Sequence, residues 1–209
     1  MINHRNENCS DHILTIEDPV EFLHQNRKAI VNQREVGLDT RSFSRALRAA
    51  MRAAPDVILI GEIRDRETME SAIALAGTGH LAIATLHANN SAETLDRIIN
   101  LFPRDQHAQI FLDLSQYLKA ILSQRLVTGK NTKRCAAIEV LLTTPHVQEL
   151  IKKGDIVGVK EALRSSNEKG MQSFDVSLYQ LYLDGKVTLE EAIANADSRT
   201  NLEAKINFG

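Results

Sequence analysis

The sequence predicts an α/β protein in which a mostly parallel sheet with flanking helices is followed by a region of short helices. In the first half, short apolar runs alternate with amphipathic helical patterns, as in a parallel sheet covered by helices. After about Pro103 the pattern is mostly helical. With 209 residues, 43% of them hydrophobic, the chain can bury a sizeable core. We expect a core domain at 1–143 and a helical subdomain at 144–209.

The elements of the first half follow from apolar spacing and from residues that begin or end helices. A helix is expected where apolar residues recur at intervals of three or four, and a strand where a short apolar run is bounded by polar residues or proline. In order, the sequence predicts a strand at 12–16, a short strand within 28–33, a helix at 42–54 ended by Pro55, a strand at 56–60, a helix at 66–76 capped by Asp65, a strand at 81–86, and a helix capped by Ser91.

The second half is predicted to hold one long helix, one hairpin and several short helices. The long helix is expected at 104–122, and the polar turn "TGKNTKR" is expected to join strands "QRLV" and "CAAIEVLL". Thr144 followed by Pro145 predicts a helix start. "TLEE" at 188–191 has the spacing of a capping box.

Composition excludes several classes of function. The formal net charge of −2 gives no general basic surface, and aromatic residues make up only 4% of the chain, which argues against a nucleic-acid partner and against a DNA translocase. No apolar run approaches the roughly 18 residues of a membrane span, and the start lacks the plan of a signal peptide, so we expect a cytosolic protein. The two cysteines have no metal-ligand spacing, so no stable zinc site is expected.

Acidic residues and histidines follow the predicted strands. The first strand is followed by Glu17, Asp18 and Glu21, the strand at 56–60 by Gly61 and Glu62, and the strand at 81–86 by His87, with His80 just before it. Because ligands bind beyond the carboxyl ends of parallel strands, we expect these side chains at one rim. Each also has a simpler interpretation as a helix cap, a solvated turn or a loop histidine. A hydrolytic zinc site is poorly supported, because the two histidines lack the i, i+4 spacing.

Glu62 has the setting of a Walker B acid, because it follows a buried apolar strand. Such a carboxylate holds the hydration shell of Mg²⁺ or orients the water that attacks a γ-phosphate. The partner motif, GxxxxGK followed by Ser or Thr, does not occur in the sequence. "TGKN" at 128–131 lacks the upstream glycine and the hydroxyl.

Three segments resemble the type II/IV secretion ATPases. "TIEDPVEF", "RAAPDVILIGEIRDRET" and "TGHLAIATLHANN" are similar, in order, to the Asp box, the Walker B region and the His box of that family. Assembly and secretion members carry a four-cysteine zinc insertion after the position of "QRLV", where this chain has only "TGKNTKRC". That difference, with the ending "DSRTNLEAKINFG", places the resemblance among the twitching-motility retraction ATPases of the PilT and PilU type, on the PilU side.

The resemblance implies a RecA-like P-loop core that binds ATP and Mg²⁺ between the subunits of a hexameric ring. The ring would be a homo-hexamer or a mixed ring with a paralogous retraction ATPase. It would act on an inner-membrane pilus platform protein from the cytoplasmic side, peripheral to the membrane. Hydrolysis would power type IV pilus retraction in twitching motility.

The same resemblance assigns roles to residues of this sequence. Glu62 matches the Walker B glutamate, and Glu17, Asp18 and Glu21 match the Asp box. His80 and His87 match the His box. Glu17 and Glu62 are expected to be the catalytic pair and to support Mg²⁺ through water; which of them activates the attacking water stays open. Asp18, Glu21, His80, His87 and Arg64 are expected to bind nucleotide or sense phosphate.

Family members carry a strand, a P-loop and a helix ahead of the Asp box. "MINHRNEN" resembles the end of that helix or the residues just after it. We therefore expect the carboxyl-terminal portion of an ATPase, inactive by itself, that lacks the strand expected beside "HILTI". The alternative is a non-catalytic module that associates with an intact paralogous pilus ATPase.

Four arginines form a stripe on the helix at 42–54. Arg41, Arg45, Arg48 and Arg52 lie at helical spacing opposite the apolar face. This stripe is either a solvated face or, with Arg64, a surface that meets an acidic neighbour or a nucleotide phosphate.

Overall fold

The computed structural model describes residues 1–131, 133–166 and 168–208. The chain forms two compact units: one contains Met1–His87 and Asn100–Gln106, and the other contains Ala88–Ile99 and His107–Gly209. This division falls earlier in the chain than the expected boundary after residue 143. The reason is that the β-hairpin shares a core with the carboxyl-terminal helices, where Val127 and Ala137 pack with Phe174 and Leu178.

The first unit is an α/β sheet domain. Its elements are α1 (Ile2–Asn8), β1 (His12–Glu17), β2 (Ile30–Glu35), α2 (Phe43–Ala53), β3 (Val57–Ile60), α3 (Arg66–Gly77) and β4 (Leu81–Ala84), with one 3₁₀ turn at Arg104–Gln106. The strands are ordered β2-β1-β3-β4 and every pair is parallel. The predicted α/β class with a mostly parallel sheet is confirmed.

Strand β1 is paired on both sides. Its Ile16 lies opposite Arg34 of β2 and opposite Ile60 of β3. The expectation of a vacant position beside "HILTI" is therefore wrong for this fold. Both partners of β1 are parallel, so the carboxyl ends of β1, β2 and β3 meet at one edge of the sheet.

The predicted helix starts in this unit are confirmed. The Ser42 side chain accepts a hydrogen bond from the backbone N–H of Arg45, and the Asp65 side chain accepts one from the N–H of Thr68. Helix α2 ends at Ala53, and Ala54 takes a left-handed conformation with φ 45° before Pro55. These starts and stops set where α2 and α3 lie relative to the strand ends.

The second unit combines a hairpin with short helices. Its elements are α4 (Ser91–Asn100), α5 (His107–Tyr117), β5 (Ala120–Val127), β6 (Cys135–Leu142), α6 (Pro145–Lys152), α7 (Ile156–Ser165), α8 (Phe174–Leu183), α9 (Leu189–Asn195) and α10 (Arg199–Phe208). The two strands are antiparallel. The predicted hairpin and the helical region that follows it are present. Among the described residues, none of the helices is long and apolar enough to cross a membrane.

The long helix predicted at 104–122 is wrong. Helix α5 stops at Tyr117, and β5 starts at Ala120, which pairs with Leu142. The Thr143 N–H and hydroxyl both donate to the carbonyl of Lys119, at 3.1 and 2.9 Å. The apolar spacing continues past Tyr117, but these tertiary bonds end the helix. The backbone groups that would have bonded within the helix are satisfied by strand pairing instead.

The caps of the second unit follow the sequence with two changes. Thr144 caps α6 with Pro145 in the first turn, as predicted. Ser91 is the first residue of α4 rather than its cap, since the side chain of Asn90 accepts from the N–H of Glu93. In the "TLEE" motif Thr188 accepts from the N–H of Glu191, but the Glu191 carboxylate accepts from the N–H of Thr128 across the unit.

Candidate active site at the strand ends

Glu62 is the centre of a hydrogen-bonded cluster beyond the end of β3. Its Oε2 accepts from Nε of Arg64 at 2.7 Å, and its Oε1 lies 2.8 Å from Nε2 of His87. The Glu62 side chain is 19% exposed, whereas those of Arg64 and His87 are 63% and 77% exposed. A half-buried carboxylate is therefore held between two groups that remain open to a ligand.

The charge of Asp18 also reaches this cluster. The pKa of the Arg64 guanidinium is raised above its ordinary value, first by the hydrogen bond and charge of Glu62 and in addition by the charge of Asp18. The acid that follows β3 pairs with Arg64 directly, whereas the acid that follows β1 acts on Arg64 only through its charge.

Glu17 lies at the end of β1, on the strand next to β3. Its Oε1 accepts from the hydroxyl of Thr15 at 2.6 Å and from Nε2 of Gln33 at 3.1 Å. The residue pairs in register with Glu35 of β2 and is part-buried. Thr15 and Gln33 thus fix the position of a carboxylate that the sequence singled out. Neither was predicted: Thr15 shows a sequence signal in its alternation with Leu14 and Ile16, whereas Gln33 lies between two polar residues.

Gly61 sets the spacing between the ends of β1 and β3. Its N–H donates to the carbonyl of Ile16 at 2.8 Å. A Cβ at this position would lie 3.1 Å from both Cα of Glu17 and the carbonyl oxygen of Ile16. Because these are backbone atoms, a side chain would push the two strand ends apart. The glycine therefore allows the backbone of Glu17 to approach the residue next to Glu62.

The structure does not bring every predicted residue to this rim. His80 precedes β4, and Leu81 pairs with Val57 at the start of β3, so His80 lies at the opposite end of the sheet from Glu62. Its Nδ1 is 3.1 Å from the hydroxyl of Thr78. The expectation that His80 shares the cleft with His87 is wrong, because the six residues between them cross the sheet. Glu21 is exposed in the loop after β1.

The oxygen donors of the cluster fit a Mg²⁺ ion held through water. Carboxylates are the ligands that Mg²⁺ prefers, and it usually retains several waters. The part of the chain that the structure describes has no cluster of three or more His, Cys, Asp or Glu side chains suited to direct ligation of a metal. For a triphosphate the fit is incomplete, since no GxxxxGK motif supplies backbone N–H groups and a lysine.

Within the arginine stripe, the members have different surroundings. Arg48 forms an ion pair with Glu67 of α3, with both side chains exposed. Arg41 and Arg45 line a cavity together with Arg34. Arg52 is exposed in the last turn of α2. The stripe is therefore not one uniform surface.

The model of the type II/IV secretion system protein family matches residues 1–202. The chain belongs to this family. It is 54% identical over 210 residues to the type IV pilus ATPase PilU of Pseudomonas aeruginosa, and the match covers 100% of this chain and 55% of PilU. It is 41% identical over 192 residues to the retraction ATPase PilT of the same organism, with 92% of this chain and 56% of PilT covered.

Solved structures of family members share the fold of this secretion-family chain. The crystal structure of the pilus retraction motor PilT with bound ADP superimposes with a TM-score of 0.88 at 42% identity, over 97% of this chain and 57% of that one. The ATPase DotB of Legionella pneumophila gives a TM-score of 0.82 at 28% identity, over 93% of this chain and 55% of that one. The chain thus spans little more than half the length of the relatives it matches, and the resemblance seen in the three boxes is confirmed.

Proposed function

We propose that this chain supplies the Asp box, Walker B and His box of an ATP-hydrolysing motor for type IV pilus retraction. The motor would be a hexameric ring, of one chain or mixed with a paralogous retraction ATPase, that acts from the cytoplasm on an inner-membrane platform protein. Its similarity to PilU and PilT supports the proposal. The observation that carries it is the Glu62 carboxylate held between Arg64 and His87 at the edge of a parallel sheet.

Each residue of the cluster has a proposed role in hydrolysis. Bound Mg²⁺ and ATP would supply the polarised γ-phosphate. Glu62 and Glu17 orient the attacking water and the hydration shell of the metal, and one of them accepts the proton. Arg64 and His87 hold the two oxygens of Glu62 in place.

Asp18, Glu21 and His80 have no part in the proposed hydrolysis step. Asp18 would influence a bound phosphate only through its charge near Arg64. His80 lies at the opposite end of the sheet from Glu62, and Glu21 is exposed in the loop after β1. We propose no catalytic step for either of them, although both match boxes of the family.

A chimera tests the proposed function. The matching 210 residues of P. aeruginosa PilU would be replaced by this chain, and ATP hydrolysis by the purified chimera measured. We expect hydrolysis, and a loss of about 10²-fold or more in kcat for Glu62→Gln, because a positioned acid or base contributes on that order. The matched control is Glu70→Gln, an exposed glutamate paired with Arg66 on α3, which should leave kcat within about twofold. Equal rates for both variants would contradict the assignment of Glu62.

The 209-residue chain alone is the second arm of this experiment. Without a GxxxxGK motif it lacks most charge-assisted phosphate contacts, so we expect no hydrolysis above background. The non-catalytic module remains the competing function. It would be favoured if the chimera assembled but hydrolysed no ATP, while the chain alone co-purified with intact PilT and changed its rate.

A further inference from the structure

We propose that a groove between β2 and α2 binds a phosphorylated small molecule at a site separate from the Glu62 cluster. One end of the groove is a cavity of about 310 Å³ lined by Arg34, Asp39, Thr40, Arg41 and Arg45, with alanines of α2 as its wall. We call this the arginine groove. Arg34 comes from β2, Arg41 from the loop before α2, and Arg45 from the first turn of α2, so three separate segments contribute an arginine to the lining.

The described lining of the groove carries more positive than negative charge. Among the described residues, no ion pair joins Arg34, Arg41 or Arg45 to an acidic side chain. The one carboxylate of the lining belongs to Asp39, and its Oδ2 already accepts from the N–H of Glu35 at 2.9 Å. By contrast, Arg48 on the same helix pairs with Glu67. Three arginines against one aspartate give the lining an excess of positive charge, which favours an anion that accepts bidentate hydrogen bonds.

The arginine groove lies on the other face of the sheet from Glu17. Strand residues alternate between faces, so Arg34 and Asn32 lie on one face of the sheet and Gln33 lies on the other. Gln33 is the residue whose side chain donates to Glu17. The start of α2 is already satisfied, because Ser42 accepts from the N–H of Arg45. Recognition would therefore come from the arginine side chains, and a ligand here would not occupy the Glu62 cluster.

The size and lining of the groove indicate the class of ligand. A second cavity of about 370 Å³ shares Arg34 and Asp39 and is also lined by His12, Leu14, Asn32, Gln33 and Ala53. There His12 Nε2 and Asn32 Oδ1 lie 2.9 Å apart. The groove thus has a cationic end and a neutral end with polar groups and apolar contacts. This arrangement fits an elongated molecule of nucleotide size whose phosphates lie at the arginine end.

Titration calorimetry of the full 209-residue chain tests the site, with pyrophosphate as the probe at constant ionic strength. We expect binding by the wild type and at least roughly tenfold weaker binding by Arg41→Ala/Arg45→Ala, because each lost charge-assisted contact has about that effect. The matched control is Arg52→Ala on the same helix, which should bind within about twofold of the wild type. Arg41→Lys/Arg45→Lys should recover part of the affinity, since the charge returns without the bidentate geometry.

Three results would overturn the proposal. The first is that the wild type shows no binding at about 10 mM pyrophosphate, because a site that stays empty at that concentration binds more weakly than an ordinary ligand site. The second is binding that Arg64→Ala abolishes while Arg41→Ala/Arg45→Ala leaves it unchanged, which would place the anion at the Glu62 cluster. The third is salt-sensitive association of the chain with itself that the double variant removes, without any pyrophosphate binding, which would make the groove a protein interface.

Discussion

The buried carboxylate of Glu139 accepts a hydrogen bond from the backbone N–H of Ser91 at 2.7 Å. The same oxygen, Oε1, also accepts from the hydroxyl of Ser91 and, at 3.3 Å, from the hydroxyl of Ser123. Glu139 is 4% exposed and lies on β6, while Ser91 begins α4. Hydrogen-bond donors and the positive end of a helix thus compensate a charge that burial would otherwise make costly.

Replacement of Glu139 by alanine should destabilise the chain by about 2–4 kcal/mol, because the Ser91 N–H and two hydroxyls would stay buried without an acceptor. The measurement is urea unfolding followed by circular dichroism. Glu149→Ala is the matched control, since Glu149 is exposed on α6, and we expect a change within about 0.5 kcal/mol. A loss for Glu139→Ala no larger than for the control would show that water or a rearrangement satisfies these groups.

Asn6 should be the residue that orders the loop between β1 and β2. It is 1% exposed, its Nδ2 donates to the carbonyl of Gln25 at 2.8 Å, and its Oδ1 accepts from the N–H of Arg27 at 3.1 Å. Asn6→Ala should cost about 1–3 kcal/mol and speed amide exchange at residues 20–29, because two loop backbone groups lose their partner.

The neighbouring Asn8 provides the comparison for Asn6. It is exposed, and its Nδ2 donates only to the carbonyl of His4 at 2.7 Å within the same short helix. Asn8→Ala should therefore leave both the free energy of unfolding and the exchange of the loop nearly unchanged. Similar exchange rates in the two variants would mean that the loop is held by other contacts.

Local signals in the sequence predicted local structure well. Asp65 and Thr144 begin their helices as expected, since an N-cap depends only on residues three positions away. The end of α5 could not be read from the apolar spacing, because the bond from Thr143 to Lys119 joins residues far apart in the chain. His80 was misplaced for a similar reason: its position depends on the direction of β4, which only the strand pairing fixes.

The sequence predicted only part of the candidate site, again because it shows local structure better than tertiary packing. Glu62 and Glu17 follow buried strands, so a parallel sheet alone places them at one edge. The arginine groove was only partly visible, because the helical stripe contains Arg41 and Arg45 but Arg34 comes from a strand. Which arginines line the groove depends on how α2 packs against β1 and α3, and no local pattern encodes that packing.

Asp175 should make stability depend on pH in an identifiable direction. Burial raises the pKa of its carboxyl above the ordinary value of 3.8, although the N–H groups of Asp197 and Ser198 donate to it and oppose the shift. Because the folded pKa exceeds the unfolded one, the folded chain binds more protons between the two values. This contribution to stability is therefore present below the unfolded pKa and is lost as the pH rises through the folded pKa.

Unfolding of the wild type and of Asp175→Asn at several pH values measures that contribution. The free energy of unfolding of the wild type, minus that of the variant, should rise as the pH falls from about 7 to about 4. Asp184→Asn is the control: hydrogen bonds from Gln180 and Lys186 lower the pKa of Asp184 below its ordinary value of 3.8, so its difference should stay nearly flat from about pH 7 to about pH 4 and be lost only at lower pH. A difference for Asp175 that stays flat with pH would contradict the raised pKa.

His87 should act through Glu62, and a double-mutant cycle in the PilU chimera separates this from an independent role. In the structure its Nε2 lies 2.8 Å from Oε1 of Glu62, and the imidazole is otherwise 77% exposed. His87→Ala should lower kcat by roughly 10- to 100-fold, because the carboxylate loses a hydrogen-bond partner that holds its Oε1. If His87 acts only through the Glu62 carboxylate, adding His87→Ala to Glu62→Gln should lower kcat little further.

The control is His146→Ala, which changes an exposed histidine on α6 and should leave kcat unchanged. Losses that multiply in the double variant would instead assign His87 a role apart from Glu62, such as direct contact with phosphate.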